Sequence, residues 1–249
     1  MPGIYTDRHS ATNPTQQKLR RQLARFSRLT ARLGFAPGTS GNLSVRLDRD
    51  HLLVTPTGLS KRFVRPQDIV IVDLNGRLVA GTRNATSELS MHLAIYHLRP
   101  DVNAVVHAHP PIATAFACSG RGLDDHLCQE AIMTLGAVPL ARYATTGTDE
   151  VAASLAPFIP THDAILMANH GSVTSGSTLL DAFLRTETLE HLAQVGLACQ
   201  QLGSPRPLGP AQIEQLHRAR LKYVTNTAPV ETLIPETVEA GSPAVGTTP

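Results

Sequence analysis

The stretch "NAVVHAHPP" at residues 103–111 runs apolar through Val106, then places two histidines one small residue apart, ahead of a proline pair. Residues 104–106 read as a buried strand. Side chains two apart on a strand leave the same face, so His107 and His109 point together while Ala108 keeps the other face small. Pro110 and Pro111 lack the N–H that a ladder needs and stop the strand, which puts both imidazoles at an exit.

Helices and strands alternate outward from this point. "SELSMHLAIYHL" at 87–98 is apolar over most of its circumference and reads as a well-buried helix capped by Ser87. Downstream, 111–120 reads as a helix with Pro111 in its first turn, 138–143 as a strand, 149–159 as a short helix and 164–169 as a buried strand. A long helix follows over 177–203, stopped by Gly203 and Pro205. Upstream, a helix over about 15–34 precedes two hairpins, at 38–58 and at 68–80, the second turning on Asn75-Gly76. The class is α/β. Residues 1–14 read as a flexible arm, 15–223 as one folded domain, and 224–249, which lack aromatic residues and periodicity, as a disordered tail.

Composition narrows the function classes. A 42% hydrophobic, 17% charged chain of 249 residues can bury a sizeable core, which excludes disorder of the whole. A net charge of +2 with interspersed signs gives no field for nucleic acid or an anionic membrane. The basic run "KLRRQLARFSR" at 18–28 carries Leu19, Leu23 and Phe26 at helical spacing and reads as an amphipathic helix with a solvated cationic side. Three cysteines without CxxC spacing point to free thiols in a reducing compartment. With no eighteen-residue apolar run and no leader-like N-terminus, the expectation is a cytoplasmic protein without a membrane partner.

A second strand, "AILMAN", also finishes in a histidine, His170, followed by Gly171. Three imidazoles with an open fourth position suit Zn²⁺, and Mn²⁺ or Co²⁺ as well. A histidine at a strand end is equally explained by a hydrogen bond to a neighbour, and spacing does not make the two strands adjacent. The glycine- and hydroxyl-rich loops "GTSGNLSVR" and "TPTG" have the groups that cradle phosphate, yet match no nucleotide fingerprint and by themselves read as tight turns. Glu88, at a helix start, either favours the helix dipole or moves protons beside a metal.

In order, "GTSGNLSVR", "TPTG", "TSE", "VVHAHPP", "YATTGT" and "ANHG" closely resemble the class II aldolase/adducin family over about residues 15–203. The resemblance implies a three-layer α/β/α fold around a central, mostly antiparallel sheet. It implies Zn²⁺ on His107, His109 and His170, a catalytic carboxylate at Glu88, and substrate phosphate on Asn42, Thr57, Gly58, Thr86 and Ser87. It also implies a homotetramer with active sites between subunits. The implied activity is metal-dependent cleavage of a ketose 1-phosphate, of the L-fuculose or 5-deoxyribulose type, to dihydroxyacetone phosphate and an aldehyde. Two departures stand out: Thr86 replaces a frequent serine, and "DDHLCQEAIM" lacks the tyrosine the family places there. Glu130, and Tyr223 reaching a neighbouring subunit's site, are the substitute proton donors. The same family includes pentulose-phosphate 4-epimerases, 3-oxo-acid phosphate decarboxylases, methylthioribulose-phosphate dehydratases and non-catalytic adducin-like modules. Glu88 stands where the 4-epimerases typically place aspartate.

Overall fold

The computed structural model describes residues 14–123, 126–203 and 205–226. The chain runs α1 (Pro14–Arg32), β1 (Asn42–Arg46), β2 (His51–Val54), β3 (Val70–Asp73), β4 (Leu78–Ala80), α2 (Leu89–Leu98), β5 (Ala104–Ala108) and α3 (Pro111–Cys118). It continues through α4 (Gln129–Thr134), β6 (Leu140–Ala141), α5 (Asp149–Leu155), β7 (Ala164–Met167), β8 (Gly171–Gly176), α6 (Leu179–Gln201) and α7 (Pro210–Asn226). The strands form one sheet in the order β4-β3-β2-β1-β5-β8-β7-β6. Every neighbouring pair is antiparallel except β6 and β7.

Period-two alternation sends side chains to both sheet faces, and each face is roofed by helices. Leu52, Val54, Val70, Val72 and Val105 pack beneath Met91, Ile95 and Tyr96 of α2 and Val151 and Leu155 of α5. On the opposite face Leu43, Val45, Leu53, Ile71 and Val106 meet Leu23 and Phe26 of α1 and Leu179, Ala182 and Phe183 of α6. Beside this, Phe116 of α3 and Leu135, just past α4, pack with Leu189 and Leu192 of α6. The α/β/α arrangement and the mostly antiparallel sheet expected from the sequence are thus present.

Three elements escape the sequence patterns. β8, "GSVTSG", has no apolar alternation, yet it is a buried central strand between β5 and β7. It is tolerated inside because its hydroxyls are satisfied: Thr174 Oγ1 donates to Ala182 O at 2.8 Å and lies 2.8 Å from Thr186 Oγ1. α4 is too short to show a period, and α7 continues to Asn226, past the expected domain end at 223. Residues 1–13 of the expected arm and 227–249 of the expected tail lie outside the described residues.

Two local expectations are corrected. The N-cap of α2 is Glu88, not Ser87, which is exposed one residue earlier. The cationic side of α1 is only partly solvated. Arg20 donates to the carbonyls of Pro66 and Ile69, and Arg28 to that of Val64 at 2.7 Å, because the turns at 61–68 leave carbonyls without ladder partners against this helix. Among the described residues no helix is long and apolar enough to cross a membrane.

Candidate metal centre

The pairing of β5 with β1 on one side and β8 on the other builds the site. In the ladders, His107 stands opposite Asn42 and Val173, and Ala108 opposite Ser172. His107 is fully buried, and its Nδ1 lies 2.9 Å from Ser172 O. A carbonyl only accepts, so Nδ1 carries the proton and Nε2 keeps its lone pair. His109 lies just beyond the strand, anchored by its backbone N–H to Phe35 O at 2.7 Å.

His170 is not at the end of a strand. It sits in the tight β7–β8 turn, with its N–H on Met167 O at 3.0 Å and with Asn169 in the left-handed region at φ 58°. Asparagine tolerates that conformation. Gly171, expected to supply unusual backbone torsions, is needed instead for space: a Cβ there would lie 2.4 Å from His109 Cδ2 and 2.7 Å from Ala108 O.

The three imidazoles converge. Ring centroids are 4.7 Å apart for His107 with His109, 4.7 Å for His107 with His170 and 5.2 Å for His109 with His170. Nε2 of His107 and Nε2 of His109 are 3.0 Å apart, and one ligand atom from each of the three rings lies within 4.8 Å of the others. Nitrogens bound to one tetrahedral zinc ion are separated by about 3.3 Å, so His107 and His109 already stand near ligand spacing and His170 is within reach of the same ion. Burial lowers the His109 pKa to about 3, so the ring is neutral at physiological pH, as a ligand must be.

Glu88 reaches into this group from the start of α2. Its Oε2 is 3.2 Å from His107 Nε2 and accepts from Asn42 Nδ2 at 2.8 Å, while Oε1 is 3.1 Å from His170 Nε2. Burial alone would raise its pKa, but His107 beside it and the N–H donated by Asn42 hold the carboxyl well below the usual carboxylate range. Oε1 is buried without a hydrogen-bond donor among the described residues. A cluster rich in lone pairs and poor in protons is one that a divalent cation satisfies.

Of the expected phosphate residues, Thr57, Gly58 and Ser87 make an exposed rim, while Asn42 and Thr86 are buried. Thr57 and Gly58 are exposed in a loop clipped to the segment before α2 by a Pro56–Ala85 bridge and by the Thr57 N–H on Asn84 O at 3.1 Å. Gly58 has φ 69° and open space where a Cβ would be, which leaves its backbone approachable. Ser87 is exposed, and buried Thr86 accepts from the Glu88 N–H at 3.3 Å. Asn42 is buried, with its amide directed at Glu88 and His92 rather than at the rim. Glu130 is exposed in the first turn of α4, and no described hydrogen bond or ion pair links it to the histidines. Tyr223 belongs to α7, and its side chain lies outside the described residues.

Two residues missed in the sequence belong to this neighbourhood. Lys61 is 1% exposed and donates to Thr39 O at 3.0 Å and Leu59 O at 2.9 Å, tying the two glycine-rich loops together. Burial lowers its pKa to about 8, countered by the charge of Glu88. It lies in an irregular turn where no period marks it. His92 is fully buried behind Asn42, and its signal was the i, i+4 spacing from Glu88 on an otherwise apolar helix.

Comparison with known proteins agrees with this geometry. Residues 21–197 match the family described as Class II Aldolase and Adducin N-terminal domain. The 5-methylthioribulose-1-phosphate/5-deoxyribulose-1-phosphate aldolase of Rhodospirillum rubrum is 37% identical over 80% of this chain and 89% of its own. The 3-oxo-tetronate 4-phosphate decarboxylase of Haemophilus influenzae is 37% identical over 67% of this chain and 81% of its own. A solved L-fuculose 1-phosphate aldolase is 32% identical, covering 83% of this chain and 96% of its own with a TM-score of 0.76. With three converging imidazoles beside a buried glutamate on a matching fold, this chain belongs to the class II aldolase/adducin family.

Proposed function

We propose that this protein is a metal-dependent aldehyde-lyase that reversibly cleaves a ketose 1-phosphate to dihydroxyacetone phosphate and an aldehyde. The observation that carries it is the convergence of His107, His109 and His170 on the Glu88 carboxylate. The similarity to the Rhodospirillum rubrum aldolase and to the solved fuculose 1-phosphate aldolase favours a 5-deoxyribulose, 5-methylthioribulose or fuculose 1-phosphate.

Zn²⁺ is the ion that three neutral nitrogens favour, with Mn²⁺ or Co²⁺ as replacements, and the three histidines would hold it. Bound there, the cation supplies Lewis-acid stabilisation of negative charge developing on the substrate's carbonyl oxygen. Glu88, held as a carboxylate, moves a proton at the carbon next to that carbonyl, removing it in the synthetic direction and returning it after cleavage. Thr57, Gly58, Thr86 and Ser87, with Asn42 behind them, hold the phosphate, so binding energy at the remote end orients the reacting carbons. Glu130, or Tyr223 of an adjacent subunit, takes the proton from the hydroxyl that becomes the aldehyde during cleavage and returns it to the aldehyde oxygen in synthesis. We further propose a cytoplasmic homotetramer with sites between subunits, built from one domain over 15–223.

The decarboxylase similarity supports a second reading, in which the same site removes carbon dioxide from a 3-oxo-acid phosphate. Coupled detection of dihydroxyacetone phosphate released from a panel of ketose 1-phosphates, with and without chelator, separates the two. Chelator-sensitive release supports the aldolase. Carbon dioxide release from 3-oxo-tetronate 4-phosphate, with no ketose cleaved, supports the decarboxylase.

A further inference from the structure

Between β1 and α2 runs a column of polar side chains in which Ser44, Arg46, His92 and Tyr96 have no part in the chemistry above. Asn42, Ser44 and Arg46 alternate with Leu43 and Val45, which enter the core on the opposite face. Glu88, His92 and Tyr96 are four apart and share one helix face. Two strand residues advance about 6.6 Å and four helical residues about 6 Å, so the two rows stay in step over this distance. Asn42 therefore meets both Glu88 and His92, Ser44 meets both His92 and Tyr96, and the Arg46 guanidinium lies 4.9 Å from the Tyr96 ring centre.

The direction of every link is determined. The Glu88 carboxylate only accepts, so Asn42 Nδ2 donates to it at 2.8 Å. That turns Asn42 Oδ1 toward His92 Nε2 at 2.6 Å, and since Oδ1 only accepts, Nε2 carries the proton. His92 is fully buried, which lowers its pKa to about 3 and leaves it neutral. Its Nδ1 is then an acceptor, so Ser44 Oγ donates to it at 2.7 Å and accepts from Tyr96 Oη at 2.9 Å.

We infer that His92, its Nε2–H on Asn42 Oδ1 and its Nδ1 held by the Ser44 hydroxyl, is a positioning residue that locks the Asn42 amide with its N–H toward Glu88 and so holds that carboxylate against the three histidines. The inference rests on Glu88 as the proton carrier, and its test has one arm independent of turnover. In full-length protein labelled with ¹⁵N in its histidine rings, two-bond ¹H–¹⁵N correlation spectra should show His92 as the neutral Nε2–H tautomer. Ser44→Ala should leave that tautomer in place, because Asn42 Oδ1 still accepts from Nε2–H. In the metal-loaded enzyme, His92→Leu should lower kcat about 10- to 100-fold with KM for the ketose phosphate within about twofold, and His92→Gln, which keeps a side-chain N–H, should recover most of that loss. Ser44→Ala, the milder change, should lower kcat about 3- to 10-fold should His92→Leu not fold.

An Nδ1–H tautomer in the unsubstituted protein overturns the inference. So does kcat in folded His92→Leu equal to that of the parent, or equal loss in His92→Leu and His92→Gln. Absence of turnover in the parent counts against Glu88 as proton carrier for these substrates and leaves the tautomer as the deciding result for the ladder.

Discussion

Nε2 of His107 stands 3.0 Å from Nε2 of His109, with the two rings edge-to-face and His170 edge-to-face with His107. Removing a ligand should therefore abolish binding rather than adjust it. His170→Ala should fold and lose metal affinity by at least about 100-fold, since even supporting partners of a ligand are worth 10- to 100-fold. Metal analysis of the purified variant beside the parent measures this. Full metal content in the variant would remove His170 from the ligand set.

Gly171 touches the same point through space. A Cβ at this position would meet His109 Cδ2 at 2.4 Å and Ala108 O at 2.7 Å, and neither a central strand nor a packed ring can give by that much. Gly171→Ala should displace His109, lowering metal affinity about tenfold or more and reducing the thermal midpoint by several degrees. Titration with Zn²⁺ and a melting curve test both effects. An unchanged affinity would show that His109 has room to move.

Glu88→Gln keeps the size of the side chain and removes its capacity to carry a proton. We expect kcat to fall about 10²- to 10⁴-fold while metal is retained. Exchange of the dihydroxyacetone phosphate carbon-bound proton with deuterated water, followed by NMR, should be lost in parallel. Exchange at the parent rate would assign the proton transfer to another group.

Lys61 gives a pH signature of stability. Its pKa is about 8 in the folded protein and 10.5 in the unfolded chain, so between these the unfolded chain binds more protons. Stability therefore rises with pH across that window, and the burial penalty is complete below about pH 8. The stability of the parent relative to Lys61→Met should increase by up to about 3 kcal/mol between pH 7 and pH 10.5. Urea unfolding at a series of pH values measures it, and a flat or falling difference would contradict the buried ammonium.

Much of this site was legible one residue at a time. Alternation placed His107 and His109 on one face, the proline pair marked the strand exit, and the loops around Gly58 announced a turn with exposed amides. β8 was illegible because "GSVTSG" is buried by virtue of its neighbours, its hydroxyls satisfied by β5 and α6 rather than by any local pattern. His92 was passed over because its partner Asn42 lies 50 residues away.

The sequence by itself determined the ligand types, the faces they leave from, the α/β class and the family resemblance, since these follow from local backbone geometry and side-chain chemistry. Only the tertiary structure decided that β5 lies between β1 and β8, bringing His170 beside His107 and Asn42 between Glu88 and His92. Strand partnership depends on which apolar faces are buried together across the whole chain, and spacing along the chain does not carry that information.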